Sequence, residues 1–371
     1  MEARTFDFTV VTGCPHTQAR RGQLLTRHGM VETPVFMPVG TLGTVKALDA
    51  RDLSELRASL ILANAYHLML RPGSETVRAF GGLHGFAGQR RAILCDSGGF
   101  QVFSLPTLRE VTDRGVVFRS HLDGTLYDLT PERLVEVQED LCPDIAMVLD
   151  ECPPARSDRD VVQRAMDRTS RWARRCLEAR RVTDVAWFGI VQGALFADLR
   201  TAHAEEIGEM PFSGVAIGGV SVGEPPAEIE RIVAHTAPLL PPNRPRYLMG
   251  VGTPQDLVRG VAAGIDMFDC VMPSRNARNG TLFRWGARLN IKNRANRWAE
   301  EPIDDRCTCY TCKNVSVAFL RHLFVSRELS YYRLATLHNI AFYLQLMQRM
   351  RSDLENQCFA PQALLAELNS D

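Results

Sequence analysis

Eight short apolar segments, most of them separated by stretches of helical periodicity, leave few folds open to this chain. The apolar runs lie at 33–39, 60–63, 92–95, 144–149, 187–191, 215–217, 246–249 and 264–268. Helical spacing of apolar residues marks 49–58, 131–141, 158–180, 198–209, 226–238 and 254–263. Parallel strands need a long crossover between them, which a helix supplies, and eight such strands are the number that closes a barrel. The expected fold is therefore α/β, a (β/α)8 TIM barrel. A doubly wound open sheet competes with it, but no G-x-G-x-x-G turn follows the first strand. Residues 114–129 (RGVVFRSHLDGTLYDL) alternate about Asp123-Gly124 and predict a hairpin inserted after the third strand.

In a barrel, chemistry collects where the strands end. Here those ends carry Asn64-Ala65-Tyr66-His67, the segment DSGGFQ at 96–101, Asp150-Glu151-Cys152, Gln192-Gly193, Gly218-Gly219, the segment GVGTP at 250–254, and Asp269-Cys270. Three carboxylates, a carboxamide and several glycines on one rim predict a polar pocket with close access to the backbone. Asp96 and Asp269 are a pair able to divide glycosidic chemistry, one attacking an anomeric carbon and the other handling the leaving group's proton. Asp before Ser-Gly-Gly is equally a good turn former. Thr253, Pro254 and Asp256 read as N-cap, first helical residue and capping-box partner, at a helix N-terminus suited to an anion.

Charge is segregated late in the chain. The whole carries 43 basic and 43 acidic residues. Yet between Asp269 and Glu300 no acid occurs, while Arg275, Arg278, Arg284, Arg288, Lys292, Arg294 and Arg297 follow one another. A cationic ribbon without internal partners beside one carboxylate suggests a nucleic-acid ligand. No window approaches the roughly 20 apolar residues of a membrane span. The N-terminus lacks a basic start and an apolar signal core, so the expected location is cytoplasmic.

Most of the ten cysteines sit singly in apolar runs, where a reduced buried thiol is the default. Cys307, Cys309 and Cys312 are instead spaced as three thiolate ligands of a structural zinc, with His322 or His338 as the fourth donor. The expected organisation is a barrel at 1–284, a zinc-binding subdomain at 285–345 and a C-terminal helical segment packing on the barrel at 346–371.

The motifs DSGGFQ, LDEC, IVQG, IGG, RYLMGVG, FDCVMPSRNARNG, CTCYTC and a later LHN occur in order along nearly the whole chain. Together they resemble the bacterial tRNA-guanine transglycosylases. That resemblance implies a zinc-containing (β/α)8 barrel. Such enzymes replace the wobble guanine of G-U-N anticodon tRNAs (those for Asp, Asn, His and Tyr) with 7-aminomethyl-7-deazaguanine, a step toward queuosine. It implies Asp269 as nucleophile and Asp96 as general acid/base. A base pocket of Asp96, Ser97, Gly98, Gly99, Phe100, Asp150, Gln192, Gly219 and Met249 is implied as well. RNA contacts are implied at Gly250, Val251, Gly252, Thr253, Pro254, Gln255 and Asp256, and at Ser274, Arg275, Asn276, Ala277 and Arg278. The zinc set becomes Cys307, Cys309, Cys312 and His338, one ion per subunit of a homodimer, with the tRNA anticodon stem-loop as partner. Bacterial members carry Cys after Asp-Glu, as at Cys152, which favours the aminomethyl base. Val220 stands where leucine is frequent, and Ser274 where threonine is common.

Two other readings remain in view. A zinc-dependent hydrolase of the amidohydrolase type needs histidines at strand ends and an open metal site. A non-catalytic tRNA-binding partner subunit is expected to lack Asp269 or Asp96, and both are present.

Overall fold

The computed structural model describes residues 6–103, 109–221 and 223–369. Its centre is a set of eight parallel strands: β1 (Val35–Pro38), β2 (Leu60–Asn64), β3 (Ala92–Asp96), β4 (Ile145–Met147), β5 (Ala186–Val191), β6 (Gly214–Ile217), β7 (Arg246–Leu248) and β8 (Met267–Cys270). They pair in the order β1-β8-β7-β6-β5-β4-β3-β2, and a bridge between Val39 and Leu62 joins β1 back to β2. The alternation therefore closes into the expected barrel. Both faces of these strands are covered, which is why β2 and β5 are apolar almost throughout and buried at every position.

Three strands, β2, β3 and β8, run on past the predicted apolar run into a polar residue. β3 includes Asp96, which pairs with Asn64 on β2, and β8 includes Asp269, which pairs with Met37 on β1. Hydrophobicity reports burial, whereas backbone pairing continues into a polar residue when the barrel mouth supplies that residue with partners.

An antiparallel sheet of Asp7–Gly13, Arg20–Thr26 and Gly29–Thr33, which the sequence pattern did not reveal, precedes the barrel. Arg20 ties it to the N-terminal end of β8 through two hydrogen bonds to the buried Asp266, at 3.0 and 2.6 Å. The predicted hairpin forms from Val116–Arg119 and Leu126–Leu129, and Arg109–Val111 adds a third strand to it.

After β8 the chain makes the short helix Met272–Arg278 and the hairpin Thr281–Arg284 with Ala287–Asn290. It returns to the barrel as the 27-residue helix Leu329–Glu355. The division expected at 345/346 falls inside that helix. Its first half packs Tyr331, Leu334 and Ala335 into a separate small core with Leu282, Ile291 and Leu320. Its second half buries Leu346, Met347 and Met350 in the barrel core. One rigid helix can serve two cores because its faces point to both along its length. Tyr343 packs on Phe36 of β1 with ring centroids 4.8 Å apart. No helix among the described residues is long and apolar enough to cross a membrane.

Candidate active site and metal centre

A cavity of about 600 Å³ opens at the C-terminal ends of the strands. Asp96, Asp150 and Asp269 all line it, with Phe100 and Met249 contributing apolar wall and Gly219 a stretch of bare backbone. The predicted rim residues from β3, β4, β6, β7 and β8 thus meet in one place. Ser97 and Gln192 sit just behind the wall, where Gln192 donates from Nε2 to Asp150 at 2.7 Å and Ser97 Oγ lies 3.5 Å from the other Asp150 oxygen. Gln192 Oε1 is buried without a hydrogen-bond partner, an uncommon state that a ligand donor would relieve.

Burial pushes all three carboxyl groups toward their protonated forms, against different hydrogen-bond donors. Burial raises Asp96 to about 7, helped by the negative charges of Asp150 and Asp269 and opposed by the N–H groups of Gly98 and Ser97. Burial also raises Asp150 to about 6, with Gln192 and Ser97 pulling it back. Asp269 is raised by burial too, against hydrogen bonds from the Tyr247 hydroxyl and the Gly250 N–H. Both of those bonds fall on Oδ1, at 2.6 and 2.7 Å. Asp96 is oriented by Asn64, whose Nδ2 donates to it at 2.7 Å and also to Gln101 at 3.1 Å. Cys152 also lines the cavity, and burial pushes its thiol up to about 12.

Two glycines are required by space and backbone alike. Gly98 has φ +83°, and a Cβ there would stand 2.3 Å from the Tyr66 Cβ; Gly219 has φ +60°, with Gln192 Oε1 at 2.1 Å from such an atom.

The segment from Gly250 to Asp256 is committed to local structure. Thr253 and Asp256 form the predicted capping box at the helix Pro254–Ala262. The Asp256 carboxylate already accepts from the Thr253 N–H and hydroxyl, so the helix N-terminus is filled by its own anion. Val251, Gly252 and Pro254 are buried, and Gln255 donates to Asn369.

Within the next predicted stretch, Ser274 and Ala277 are buried, whereas Arg275 and Asn276 line the cavity. Arg278 Nη1 is buried with no partner. None of the seven cations from Arg275 to Arg297 forms an ion pair among the described residues, although arginines elsewhere in the chain commonly do. Arg288, Lys292 and Arg297 lie instead over the rings of Phe283, Phe324 and Trp298.

Cys307, Cys309, Cys312 and His338 converge, with ligand atoms all within 4.8 Å of one another. His338 Nε2 lies 2.6 Å from the Phe283 carbonyl. That contact places the proton on Nε2 and leaves the Nδ1 lone pair facing the sulfurs, 3.2 Å from Cys312 and 3.8 Å from Cys309. Hydrogen bonds from Cys307 and Cys312 pull the Cys309 thiol well below its ordinary value. Three thiols and an oriented imidazole fit a closed tetrahedral metal shell. None of the four lines the cavity, and His322 is not among them. A second cluster, His28, His84 and Asp144, fits a metal poorly. Its imidazoles stack at 3.4 Å and 9°, so their lone pairs run side by side rather than converge.

Sequence reasoning did not single out Tyr247 or give Asn64 a role. Tyr247 lies within RYLMGVG, two residues before Met249, and a tyrosine on a buried strand must find a partner for its hydroxyl. That was the available signal.

Three buried carboxyl groups gathered at the mouth of a barrel make a site suited to glycosyl chemistry. A family model described as queuine tRNA-ribosyltransferase matches residues 14–364. A queuine tRNA-ribosyltransferase of Solidesulfovibrio magneticus is 52% identical over 354 residues, 95% of each chain. One from Nitratidesulfovibrio vulgaris is 50% identical over 358 residues, 96% of this chain and 94% of its own. A third, from Dehalococcoides mccartyi, is 52% identical over 345 residues, 93% and 88% respectively. The chain belongs to the queuine tRNA-ribosyltransferase family.

Proposed function

We propose that this enzyme exchanges the wobble guanine of G-U-N anticodon tRNAs for 7-aminomethyl-7-deazaguanine through a covalent enzyme–RNA intermediate, in queuosine biosynthesis. The observation that carries the reading is the pair Asp96 and Asp269 in one cavity, the first held near neutrality as an acid and the second offered two donors on Oδ1. In the first displacement Asp269 Oδ2 bonds to ribose C1′ as the C1′–N9 bond breaks. The proton on Asp96 neutralises the departing guanine. In the second, Asp96 takes the N9 proton of the incoming base, which attacks C1′ and expels the Asp269 carboxylate. Two inversions retain the sugar configuration.

Asp150 presents a carboxylate to the N–H edge of the base, while the second Nε2 hydrogen of Gln192 and the Gly219 N–H donate to its carbonyl oxygen. Phe100 and Met249 sandwich the ring, as an extruded nucleotide requires. Cys152, a neutral thiol at the pocket edge, fits the reading that the base carries an aminomethyl group. Arg275 and Arg278 read the anticodon loop, and the unpartnered Arg278 Nη1 supports an anionic ligand beside it. The cations toward Arg297 hold phosphates. We take the cluster of three cysteines and His338 to hold one structural zinc per subunit of a cytoplasmic homodimer. A metal there would fix the fold of the extension, since no cluster residue reaches the cavity.

The test is exchange of labelled guanine into a G-U-N anticodon stem-loop, with denaturing electrophoresis to trap the adduct. Exchange without an adduct would remove the double displacement. The first half-reaction also has a pH signature. A carboxyl raised to about 7 is protonated below that value and loses its proton above it. Single-turnover adduct formation should therefore fall by about tenfold per pH unit above that point. A rate flat from about pH 6 to 8.5 would sink Asp96 as the acid.

A further inference from the structure

Behind the base pocket, helix Ala197–Glu209 buries two polar side chains one turn apart, Arg200 and His203, both fully inaccessible. Neither lines the cavity, yet both bond to the chain segments that form its base-reading edge. Arg200 donates to four carbonyls: Ala194 at 3.0 Å, Val191 at 2.9 Å, Gly218 at 2.8 Å and Gly219 at 3.0 Å. It thereby clamps the ends of β5 and β6 to each other. His203 Nδ1 accepts the Gln192 main-chain N–H at 2.8 Å.

A backbone N–H can only donate, so His203 Nδ1 must carry the lone pair and Nε2 the proton. Nε2 lies 3.1 Å from Ser170 Oγ, which then turns its own proton to Glu206 Oε2 at 2.6 Å. Glu206 is in turn paired with Arg174 at 2.5 Å. Every donor in the chain has one acceptor, and only one tautomer satisfies all of them. Burial, which disfavours the charged ring, agrees with a neutral imidazole, bringing His203 down to about 4.

We propose that His203 is a positioning residue for base recognition: its Nδ1 fixes the main chain of Gln192, while Arg200 fixes the carbonyls flanking Gly219. Ser170 and Glu206 select the tautomer that makes this possible. The inference rests on the reading of Gln192 as a base contact. Gln192 has little freedom to lose if both its backbone and its side chain are held, the one by His203 and the other by Asp150. Holding it costs nothing further when the base arrives, which is the advantage of a preorganised site.

The experiment measures KM for free labelled guanine and kcat in the full-length metal-loaded enzyme, with thermal melting alongside. His203→Phe fills the ring's volume but removes the acceptor. It should raise the KM for guanine by about tenfold with kcat within about threefold, the split expected when binding common to ground and transition states is lost. His203→Asn places Oδ1 near the position of Nδ1 and should recover most of that loss. If both variants lose equally, or if KM does not move in a folded His203→Phe, the proposal is overturned. Should His203→Phe fail to fold, Ser170→Ala decides. Freed of its orienter, the ring can take the wrong tautomer, so KM should rise severalfold, and an unchanged KM overturns the proposal. Gln192→Met separates the two levels of argument. If it leaves the KM for guanine unchanged, the base-contact reading falls and takes this inference with it. If it raises KM while the His203 variants do not, the positioning role alone falls.

Discussion

Asp269→Asn should abolish guanine exchange, by on the order of 10⁴-fold or more, while tRNA binding changes only a few-fold. Asparagine keeps the shape of the side chain and an oxygen able to accept from Tyr247 and Gly250, the two donors that hold Oδ1. What it loses is the second oxygen, because an amide nitrogen has no lone pair free to attack C1′. The variant therefore isolates nucleophilicity from geometry. Thermal stability should hold or rise slightly, since burial disfavours the ionised carboxylate and the amide removes that cost. The measurement pairs exchange and adduct trapping with a tRNA binding titration. Retained turnover, or an adduct still formed on the Asn variant, would overturn the assignment.

Stripping the metal from the cluster of Cys307, Cys309, Cys312 and His338 should unfold the C-terminal extension rather than only silence the chemistry. A structural zinc contributes roughly 10–16 kcal/mol of apparent binding free energy, comparable with or above the whole stability of a typical domain. The small core that the cluster pins is only a few side chains deep, built around Leu282, Ile291, Leu320 and Tyr331. His338 lies on the helix that also buttresses the barrel mouth. On that helix Asn339 bonds to Pro273, Thr281 and Phe283, and Tyr343 donates to the Gly252 carbonyl. Losing the cluster thus loosens both segments that flank Asp269. Chelation followed by a thermal melt and hydrogen exchange should show loss of protection from about residue 280 onward, with the barrel strands retained. An apo-protein with unchanged melting and exchange would show that the metal has no structural role.

How much of this was legible in the sequence depends on the kind of residue. The barrel was legible because a parallel strand buried on both faces must be apolar, and eight such runs alternate with helical spacing. Asp96 and Asp269 were legible because a carboxylate at the end of an apolar run is costly unless it has a use. The hairpin at 281–290 and the antiparallel sheet at 7–33 were not legible: Asp7–Gly13 is largely exposed and carries no clear period, and Ala287–Asn290 alternates but over only 4 residues. Tyr247 and Asn64 were visible but unassigned, because their importance lies in which carboxylate they face. Arg200 and His203 gave no signal at all. In a chain with 43 basic residues, an arginine and a histidine three apart on a helix look like solvated surface.

Spacing and burial along the chain were enough to read the fold class, the order of the motifs, the three cysteines that cluster with a histidine, and the two carboxylates, Asp96 and Asp269, that meet in the cavity. These follow from local rules of spacing and burial that hold along one chain. Spacing left two histidines open as the fourth metal donor, and the tertiary structure brings His338 rather than His322 to the sulfurs. The folded chain alone decided which oxygen of Asp269 is occupied. It also decided that the Gly250–Asp256 helix start is filled by its own carboxylate, and that a helix outside the barrel holds Gln192. Most of these depend on distances between residues far apart in the chain. Hydrogen bonds and desolvation act over a few ångströms of space, and only the folded chain sets those.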